Sequence, residues 1–232
     1  MSRSTLCPTK INTDEITLFR DDFYWILNKP CRVHFDEILS QSEWKPAHRL
    51  DFETSGVILF AAEKSFETSR KLFSNSSQLL KIYLCSASGP LPWVEDISEA
   101  NPLVVEGFIA SRHRGSKKVS FFDFSTPPNP RFYRTSQPAA HQIWPANLDT
   151  PAFENLKEFK FGHPYWVRLE TGARHQIRAF FESKGVPLLG DPLYNKVADY
   201  ERLLLHAYKL EFVCPFQNKK ISAVAPFSLI AL

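Results

Sequence analysis

Glycine is scarce in this chain, with only eight among 232 residues, and no group of them forms the loop that cradles a phosphate in nucleotide-binding proteins. The seven histidines show no His-x-His or His-Glu-x-x-His spacing, which are patterns typical of metal sites. The sequence therefore contains no motif for a nucleotide cofactor or a metal ion, and we expect neither.

The cysteines are few and stand far apart. Cys7, Cys31, Cys85 and Cys214 form no Cys-x-x-Cys pair, so they indicate neither a zinc site nor a disulfide framework. No apolar run approaches the length of a membrane span, and residues 1–10 show no signal-peptide pattern. We expect a cytoplasmic protein with reduced thiols and no membrane contact.

Neither sign of charge is in large excess, since 28 basic and 25 acidic residues leave a net charge of +3. This balance does not by itself indicate a nucleic-acid partner, but it allows a local basic surface. Residues 111–118, here called the basic loop, contain Arg112, Arg114, Lys117 and Lys118. Between two predicted strands, such a loop can grip a phosphate backbone or form a solvated hairpin tip, and composition does not separate the two.

Proline is concentrated in residues 125–151, which hold six of the 17 prolines. This density excludes a helix and argues against a central strand, because proline donates no amide hydrogen bond. We predict a long irregular insertion here. Its cationic and aromatic side chains are those of Arg131, Phe132, Tyr133, Arg134 and Trp144. Either these side chains contact RNA, or the rings pack onto the domain.

Short runs of strand-forming residues predict most of the remaining structure. They cover residues 22–27, 57–62, 79–86, 103–110, 156–161, 165–169 and 203–213. Helical spacing occurs at 65–75 and at 174–184, where Ile177, Phe180 and Phe181 make an apolar stripe and Gly185 stands at the expected C-cap. Many strands and few helices favour an α+β fold. We expect residues 1–21 to be a loosely packed tail before a domain spanning 22–232.

The segment from His48 to Gly56 combines a charged pair with a small-residue turn and a following apolar strand. If the chain is extended there, Arg49 and Asp51 leave one face and Leu50 packs on the other. A carboxylate fixed beside a guanidinium can act as a nucleophile or general base. Taken alone, the pair also fits an ordinary surface ion pair before a turn.

This segment, His-Arg-Leu-Asp-x-x-Thr-Ser-Gly, resembles the central motif of the RluA class of pseudouridine synthases. Three further blocks resemble that family's other motifs and follow in its order. They are Lys81-Ile82-Tyr83, then Thr171 to Arg178 running on to Gly190-Asp191-Pro192-Leu193-Tyr194, and finally Leu205-His206-Ala207. The match covers about residues 22–226, with one poorly matched gap near 125–157, and the ordered set of blocks is far more specific than any single block.

The resemblance implies one catalytic domain with a mixed, largely antiparallel bent sheet, flanking helices and a central catalytic cleft. It implies an isomerase that acts on specific uridines in rRNA or tRNA and needs no cofactor. From the chain itself we expect a monomer with no obligate protein partner and no separate RNA-binding domain. Asp51 would be the catalytic carboxylate, Arg178 its nearby cation and Tyr83 the ring that stacks on the target base. A cation within about 4–6 Å would favour the ionised carboxylate.

Among the proposed RNA contacts, Arg49 resembles the residue that enters the RNA stack where the uridine has left it. Lys29, in an Asn-Lys-Pro segment that resembles the first motif, either lines the cleft or is a solvated strand end. The usual Thr-Gly-Arg-x-His-Gln-Ile-Arg pattern has Ala173 at its third position here, with Arg174 following. On a helix this shift turns the side chain by about 100°, so the role of Arg174 as an RNA contact stays open.

Two other functions remain open at this point. One is a non-catalytic RNA-binding or RNA-folding protein on the same scaffold, which loss of Asp51, Tyr83 or Arg178 would have favoured. The other is a hydrolase that uses Asp51 as nucleophile, with Glu53 as the only nearby carboxylate that can activate water. Isomerisation leaves the mass of the RNA unchanged, whereas the hydrolase releases free uracil.

Overall fold

The computed structural model describes residues 11–39, 43–74, 78–92, 96–149, 151–195 and 200–227. These residues form eleven strands, three α-helices and two 3-10 segments. The strands are β1 (Thr17–Arg20), β2 (Tyr24–Lys29), β3 (Lys45–Pro46), β4 (Ser55–Ala61), β5 (Leu79–Ala87), β6 (Leu103–Ser111), β7 (Ser120–Asp123), β8 (Thr135–Pro145), β9 (His163–Leu169), β10 (Leu205–Cys214) and β11 (Lys219–Val224). The helices are α1 (Phe35–Leu39), α2 (Phe66–Ser74) and α3 (Gln176–Ser183), with 3-10 segments at Glu63–Ser65 and Pro151–Phe161.

All the strands belong to one sheet, in the order β1-β2-β4-β10-β5-β9-β8-β6-β7, with β3 beside β4 and β11 beside β10. Every pairing is antiparallel except that of β10 with β4. The expected α+β fold with a mixed, largely antiparallel sheet is confirmed. No helix within the described ranges has the length and apolar character needed to cross a membrane.

The parallel junction of β4 and β10 depends on a glycine of the central motif. His206 and Ala207 pair with Ser55 and Gly56. Gly56 has φ of +109°, and a Cβ atom there would lie 2.2 Å from the Ala207 carbonyl oxygen. Only glycine allows this conformation and this approach, so the motif's Ser-Gly brings the two strands together.

Helix α3 packs the predicted apolar stripe onto the sheet. Ile177, Phe180 and Phe181 are 4%, 1% and 0% exposed and join a core cluster that includes residues of β5, β6, β8 and β9. The helix ends at Ser183, and Gly185 two residues later has a positive φ and donates its amide to the Glu182 carbonyl, as predicted for a capping glycine. The burial of α3 leaves Arg178 inside the molecule.

Two predicted element assignments were wrong at the amino-terminal side and in the middle of the chain. Residues 17–20 pair with β2 and therefore belong to the sheet, while residues 1–10 lie outside the described part. Residues 156–161 form part of a 3-10 segment whose Leu156 and Phe159 are fully buried against the sheet. Apolar spacing alone did not distinguish this buried helical turn from a strand.

The predicted irregular insertion at 125–151 is wrong for Thr135–Pro145, which forms the long strand β8 between β9 and β6, whereas residues 125–134 do lie in turns and loop. Pro138 pairs with β6 only, since β9 begins to pair at His141, and Pro145 pairs with β9 beyond the last β6 pairing. Each proline therefore sits where one side of the strand needs no amide donor. Trp144 is buried within this strand, whereas Phe132 is 66% exposed.

Candidate active site

The loop that precedes β4 carries Asp51 and is held by a buried lysine. Lys29 is fully buried, and its Nζ donates to the carbonyl oxygens of Pro30, Val33 and Phe52 at 2.9, 3.1 and 3.2 Å. Burial lowers the pKa of Lys29 to about 8, with its neighbouring charges opposing that shift only in part. All three donors are used inside the protein, so the expectation that Lys29 contacts RNA is corrected to a structural role.

The three residues at the centre of the motif, Arg49, Leu50 and Asp51, all line one pocket. Leu50 is also buried in a core cluster. The Thr54 amide donates to the Asp51 carbonyl at 3.1 Å and closes the turn that leads into β4. The geometry exposes the Asp51 carboxylate in part and leaves Arg49 at the surface.

Arg178 of α3 supplies the cation nearest to Asp51. Its Nη1 lies 3.1 Å from Asp51 Oδ2, with 4% of the Arg178 side chain and 23% of the Asp51 side chain exposed. This separation is well within the range expected for a stabilising counter-charge. Burial alone would lower the pKa of Arg178, but the bonds and charges of Asp191 and then of Asp51 outweigh it, and the pKa is raised.

The other two nitrogens of the guanidinium are held by Asp191. Arg178 Nε and Nη2 donate to Asp191 Oδ2 and Oδ1, both at 2.8 Å, and Asp191 is 1% exposed. Asp191 Oδ1 also accepts the amides of Leu193 and Tyr194. A two-bond fork of this kind fixes the plane of the guanidinium, so Arg178 meets Asp51 in one orientation.

A histidine approaches the second oxygen of the Asp51 carboxylate. His175 has a left-handed conformation, with φ of 53°, immediately before α3. Its Nε2 lies 3.7 Å from Asp51 Oδ1, and its Nδ1 lies 3.2 Å from the Tyr194 hydroxyl. Burial lowers the pKa of His175, partly opposed by Asp51 and reinforced by Arg178 and Arg174, so the imidazole is neutral at neutral pH.

Tyr83 forms another wall of the pocket from the middle of the sheet. It stands on β5 opposite Ala207 of β10 and Val167 of β9, and its ring is partly buried between two core clusters. Burial raises the pKa of Tyr83, and the charge of Asp51 adds to the shift. The hydroxyl therefore stays protonated at neutral pH beside an anionic carboxylate.

The pocket that these residues line contains about 440 Å³ of space, open to solvent. It combines a carboxylate, a fixed cation and an aromatic ring, which suits a planar base attached to a sugar. Glu53 is not among the residues that line this pocket, and its carboxylate forms an ion pair with Arg32 at 3.3 Å. Within the described part of the chain, no cluster of His, Cys, Asp and Glu is arranged to bind a metal.

The basic loop connects to this pocket at its carboxyl-terminal end. Arg112, Arg114, Lys117 and Lys118 are all exposed. Lys118 Nζ lies 4.8 Å from the centre of the Tyr194 ring and 2.7 Å from Glu182 on α3. The loop is therefore anchored beside the residues that contact Asp51.

Arg174 has a different position from the one its sequence spacing predicted. The predicted helix began at residue 174, but Arg174 precedes α3, so the argument that a one-residue shift from Ala173 to Arg174 rotates the side chain on a helix does not apply. Arg174 is exposed, and its Nη2 donates to the Ser116 carbonyl at 2.7 Å, which ties the basic loop to the segment carrying His175. Ala173 lines the pocket itself.

Three residues of the site lie within the family motifs named in the sequence, but sequence reasoning assigned them no role. Asp191, His175 and Tyr194 stand together only because the chain after α3 folds back onto it. The sequence did contain one signal for Asp191. An Asp that precedes Pro and two residues with free amides is typical of an Asx turn, in which the carboxylate accepts hydrogen bonds from those amides. The contacts of His175 with Asp51 and Tyr194 had no comparable local pattern.

Comparison with known proteins agrees with this geometry. The family model described as RNA pseudouridylate synthase matches residues 34–183. The dual-specificity RNA pseudouridine synthase RluA of Pasteurella multocida is 29% identical over 226 residues, which cover 89% of this chain and 90% of that protein. RluA of Escherichia coli K12 is 27% identical over 230 residues, covering 91% and 92%.

Solved structures show the same fold. Human RNA pseudouridylate synthase domain containing 1 superposes with a TM-score of 0.68 at 17% identity, covering 93% of this chain and 84% of that one. Human RNA pseudouridylate synthase domain containing 4 gives 0.64 at 17% identity, covering 94% and 90%. The sheet described above is therefore shared with these proteins at low sequence identity.

Proposed function

Because the chain belongs to the RNA pseudouridylate synthase family, we propose that this RNA pseudouridine synthase isomerises specific uridines in rRNA or tRNA through Asp51. The observation that carries the assignment of Asp51 is its contact with Arg178, at 3.1 Å, inside the pocket that Tyr83 also lines. A buried guanidinium that two bonds to Asp191 hold in place is suited to orienting the partly exposed carboxylate of Asp51 for attack.

The reaction breaks the bond between uracil N1 and ribose C1′ and forms a bond between C5 and C1′. The proton of C5 is lost and N1 gains one, so the mass of the RNA does not change. Asp51 attacks the base or the sugar, or removes a proton from the ribose, and each choice begins from the ionised carboxylate. Neither oxidation nor hydrolysis is involved, and the reaction needs no cofactor.

We propose that Tyr83 stacks on the extruded base and that Arg49 occupies the position which the base leaves in the RNA stack. The uridine must leave its stack before C1′ and C5 become accessible, and unstacking costs a few kcal/mol. The Tyr83 ring stacks on the extruded base in the pocket. Arg49, exposed at the pocket rim, fills the vacated position, where a guanidinium stacks well on neighbouring bases.

The basic loop and Arg174 are proposed to hold the surrounding RNA. Arg112, Arg114, Lys117, Lys118 and Arg174 are exposed cations, and the loop's end adjoins the pocket. Contacts of this kind with phosphates give affinity without sequence preference. We further propose that the enzyme is cytoplasmic and is a monomer that needs no obligate protein partner. Sedimentation of the purified protein tests the monomer, and cell fractionation tests the location.

The decisive experiment compares pseudouridine maps of total RNA from a strain lacking the protein with those from the wild type. Loss of pseudouridine at one or a few sites, and its return with the purified wild-type protein on unmodified transcripts of those sites, is expected. Release of free uracil would instead support the hydrolase. If the maps are unchanged and the transcripts remain unmodified after incubation with the protein, the proposed substrates are wrong. The non-catalytic alternative would then gain support.

A further inference from the structure

The segment between β7 and β8 crosses one face of the sheet. These two strands pair with opposite edges of β6, so residues 124–134, here called the crossover loop, pass over β6. Neighbouring residues of a strand point to opposite faces. Phe121 of β7 meets Phe180 of α3, whereas Phe122 meets Tyr133 of the crossover loop. The crossover loop therefore covers the face of β6 and β7 that is opposite α3.

Two aromatic rings hold the crossover loop against the sheet, one near each of its ends. Phe124 meets Phe108 edge to face, with 5.0 Å between the ring centres. Tyr133 meets Phe122 in the same way at 4.8 Å. Phe108 and Phe122 are directly opposite each other on β6 and β7. The loop is therefore packed onto a cross-strand aromatic pair, which fixes its position.

The backbone around Phe132 is held by hydrogen bonds, yet its ring is left uncovered. The amides of Phe132 and Tyr133 both donate to the Asn129 carbonyl at 3.0 Å. The Arg134 amide donates to the Ser111 carbonyl, also at 3.0 Å. Phe132 is nonetheless 66% exposed. An exposed ring on a fixed backbone can stack on another ring at little cost in conformational entropy.

Positive charge is concentrated on this part of the chain. Arg131 and Arg134 flank Phe132 and are exposed, and neither belongs to an ion pair among the described residues. From the start of β6 to the end of β8, six basic and two acidic residues give a net charge of +4. The remaining 22 basic and 23 acidic residues give −1. A surface with this local excess is suited to a polyanion.

The crossover loop continues the surface that the basic loop forms beside the pocket. Its last residue, Arg134, bonds to Ser111, where the basic loop begins, and the Ser111 hydroxyl donates to the His113 carbonyl at 3.1 Å. Further along the basic loop, Ser116 accepts the bond from Arg174. An RNA strand that leaves the pocket and passes the basic loop can therefore reach Phe132.

We propose that the crossover loop binds an unpaired stretch of the substrate RNA, with one base stacked on the Phe132 ring and phosphates held by Arg131 and Arg134. Unpaired RNA fits this surface because the bases of a duplex are already stacked, whereas a free base of any kind can stack on an exposed ring. The proposal rests on the proposed function in RNA. It adds a contact away from the target uridine, in a segment that carries none of the proposed catalytic residues.

The test measures binding of a fluorescein-labelled oligo(U) of about 20 nucleotides to the full chain by fluorescence anisotropy. Every protein carries Asp51→Asn, so that turnover does not interfere. Phe132→Ala is expected to raise the dissociation constant about tenfold, and Phe132→Leu, which stays apolar but has no ring, is expected to do the same. Phe132→Trp should bind as tightly as the parent. Duplex RNA of the same length should bind all four proteins equally.

The arginines are tested by the salt dependence of the same binding. Replacing Arg131 and Arg134 by glutamine should flatten the plot of log affinity against log salt by up to about 0.7 per lost phosphate contact. Phe161→Ala is the matched control for Phe132→Ala, since Phe161 is 71% exposed and lies just before β9, which begins beside the end of β8 rather than its start. This control should leave the dissociation constant unchanged.

Parent-like affinity for oligo(U) in Phe132→Ala or in Phe132→Leu would overturn the proposal, because no base would then depend on the ring. An equal loss in Phe161→Ala would overturn it as well. If the parent protein sediments as a dimer and Phe132→Ala as a monomer, the surface is an interface between two copies of the chain instead. Oligo(U) binding does not depend on isomerisation, so a transcript that stays unmodified would refute the proposed function without deciding the role of Phe132.

Discussion

Asp191 holds Arg178 through two hydrogen bonds of 2.8 Å at a point where the Asp191 side chain has no exposed surface. Asp51 receives the remaining Nη1 contact at 3.1 Å and keeps 23% of its side chain exposed. The buried Asp191 carboxylate therefore holds the guanidinium in place, and the half-buried Asp51 carboxylate is paired with its charge. This division explains how an arginine on a helix can be rigid enough to serve a carboxylate on a loop.

Asp51→Asn is expected to abolish pseudouridine formation while leaving the fold and RNA affinity nearly intact. The amide has the same shape as the carboxylate and lacks only its charge and nucleophilicity, so a loss of several powers of ten in rate is expected. Pseudouridine yield from a transcript of a mapped site, with filter binding as the control, measures both properties. A near-normal yield would remove Asp51 from its proposed role.

Arg178→Met is expected to damage both activity and stability, because it leaves Asp191 as a buried charge without its partner. Losing one member of such a pair costs roughly 3–5 kcal/mol, which urea denaturation measures. Arg178→Lys keeps the charge but cannot form two parallel bonds to Asp191 and a third to Asp51. Its single-turnover rate should fall between those of Arg178→Met and the wild type, and a wild-type rate would contradict the need for a fixed orientation.

The sequence was sufficient to predict the pocket's central residues because they stand in short ordered motifs. Asp51, Tyr83 and Arg178 come from three distant segments, and the structure brings all three to one pocket. The apolar stripe of α3 and the cap at Gly185 followed from local spacing alone. Where a residue's neighbours in the chain determine its conformation, sequence reasoning worked.

Errors arose where tertiary contacts decide the outcome. Lys29 looked like a solvated or cleft-lining cation, yet three carbonyl oxygens compensate its burial, and those oxygens are brought together only by folding. Pro138 looked incompatible with a central strand, yet β8 is paired on one side only at that position. Strand order and pairing limits are long-range properties that local propensity does not contain.

Folding stability should fall as the pH falls from about 7.5 to about 5.5, because buried histidines are neutral in the folded protein. Burial lowers the pKa of His141 to about 3 and that of His206 to about 4. The unfolded chain takes up protons below about pH 6.5, so each histidine should cost about 1.4 kcal/mol across this window. His48, whose pKa burial lowers to about 3, adds in the same direction.

His141→Phe provides the matched variant for this pH effect. His141 already contacts the rings of Phe121 and Phe180 edge to face, so a phenyl ring suits the site, although the bond to Gln176 is lost. Urea denaturation at the two pH values should show a difference smaller by about 1.4 kcal/mol than in the wild type. An equal difference in variant and wild type would mean that His141 is not a neutral buried group.

The basic loop should control RNA affinity and its salt dependence. Replacing Arg112, Arg114, Lys117 and Lys118 by alanine should weaken binding and flatten the plot of log affinity against log salt, by up to about 0.7–0.9 per lost phosphate contact. Saturating RNA should restore most of the rate, because Asp51, Tyr83 and Arg178 are unchanged.

The control for this prediction removes the same amount of charge from another surface. Lys64, Lys71, Lys219 and Lys220 are exposed on the 3-10 segment, α2 and β11, and replacing them by alanine changes the net charge of +3 by the same four units. If RNA is gripped locally, this control should keep nearly the wild-type salt slope, whereas a general charge effect would flatten both plots equally. Equal slopes in the loop variant and the wild type would make the loop a solvated hairpin tip. Binding of the RNA phosphates would then have to come from Arg49, which lines the pocket, and from the exposed Arg174.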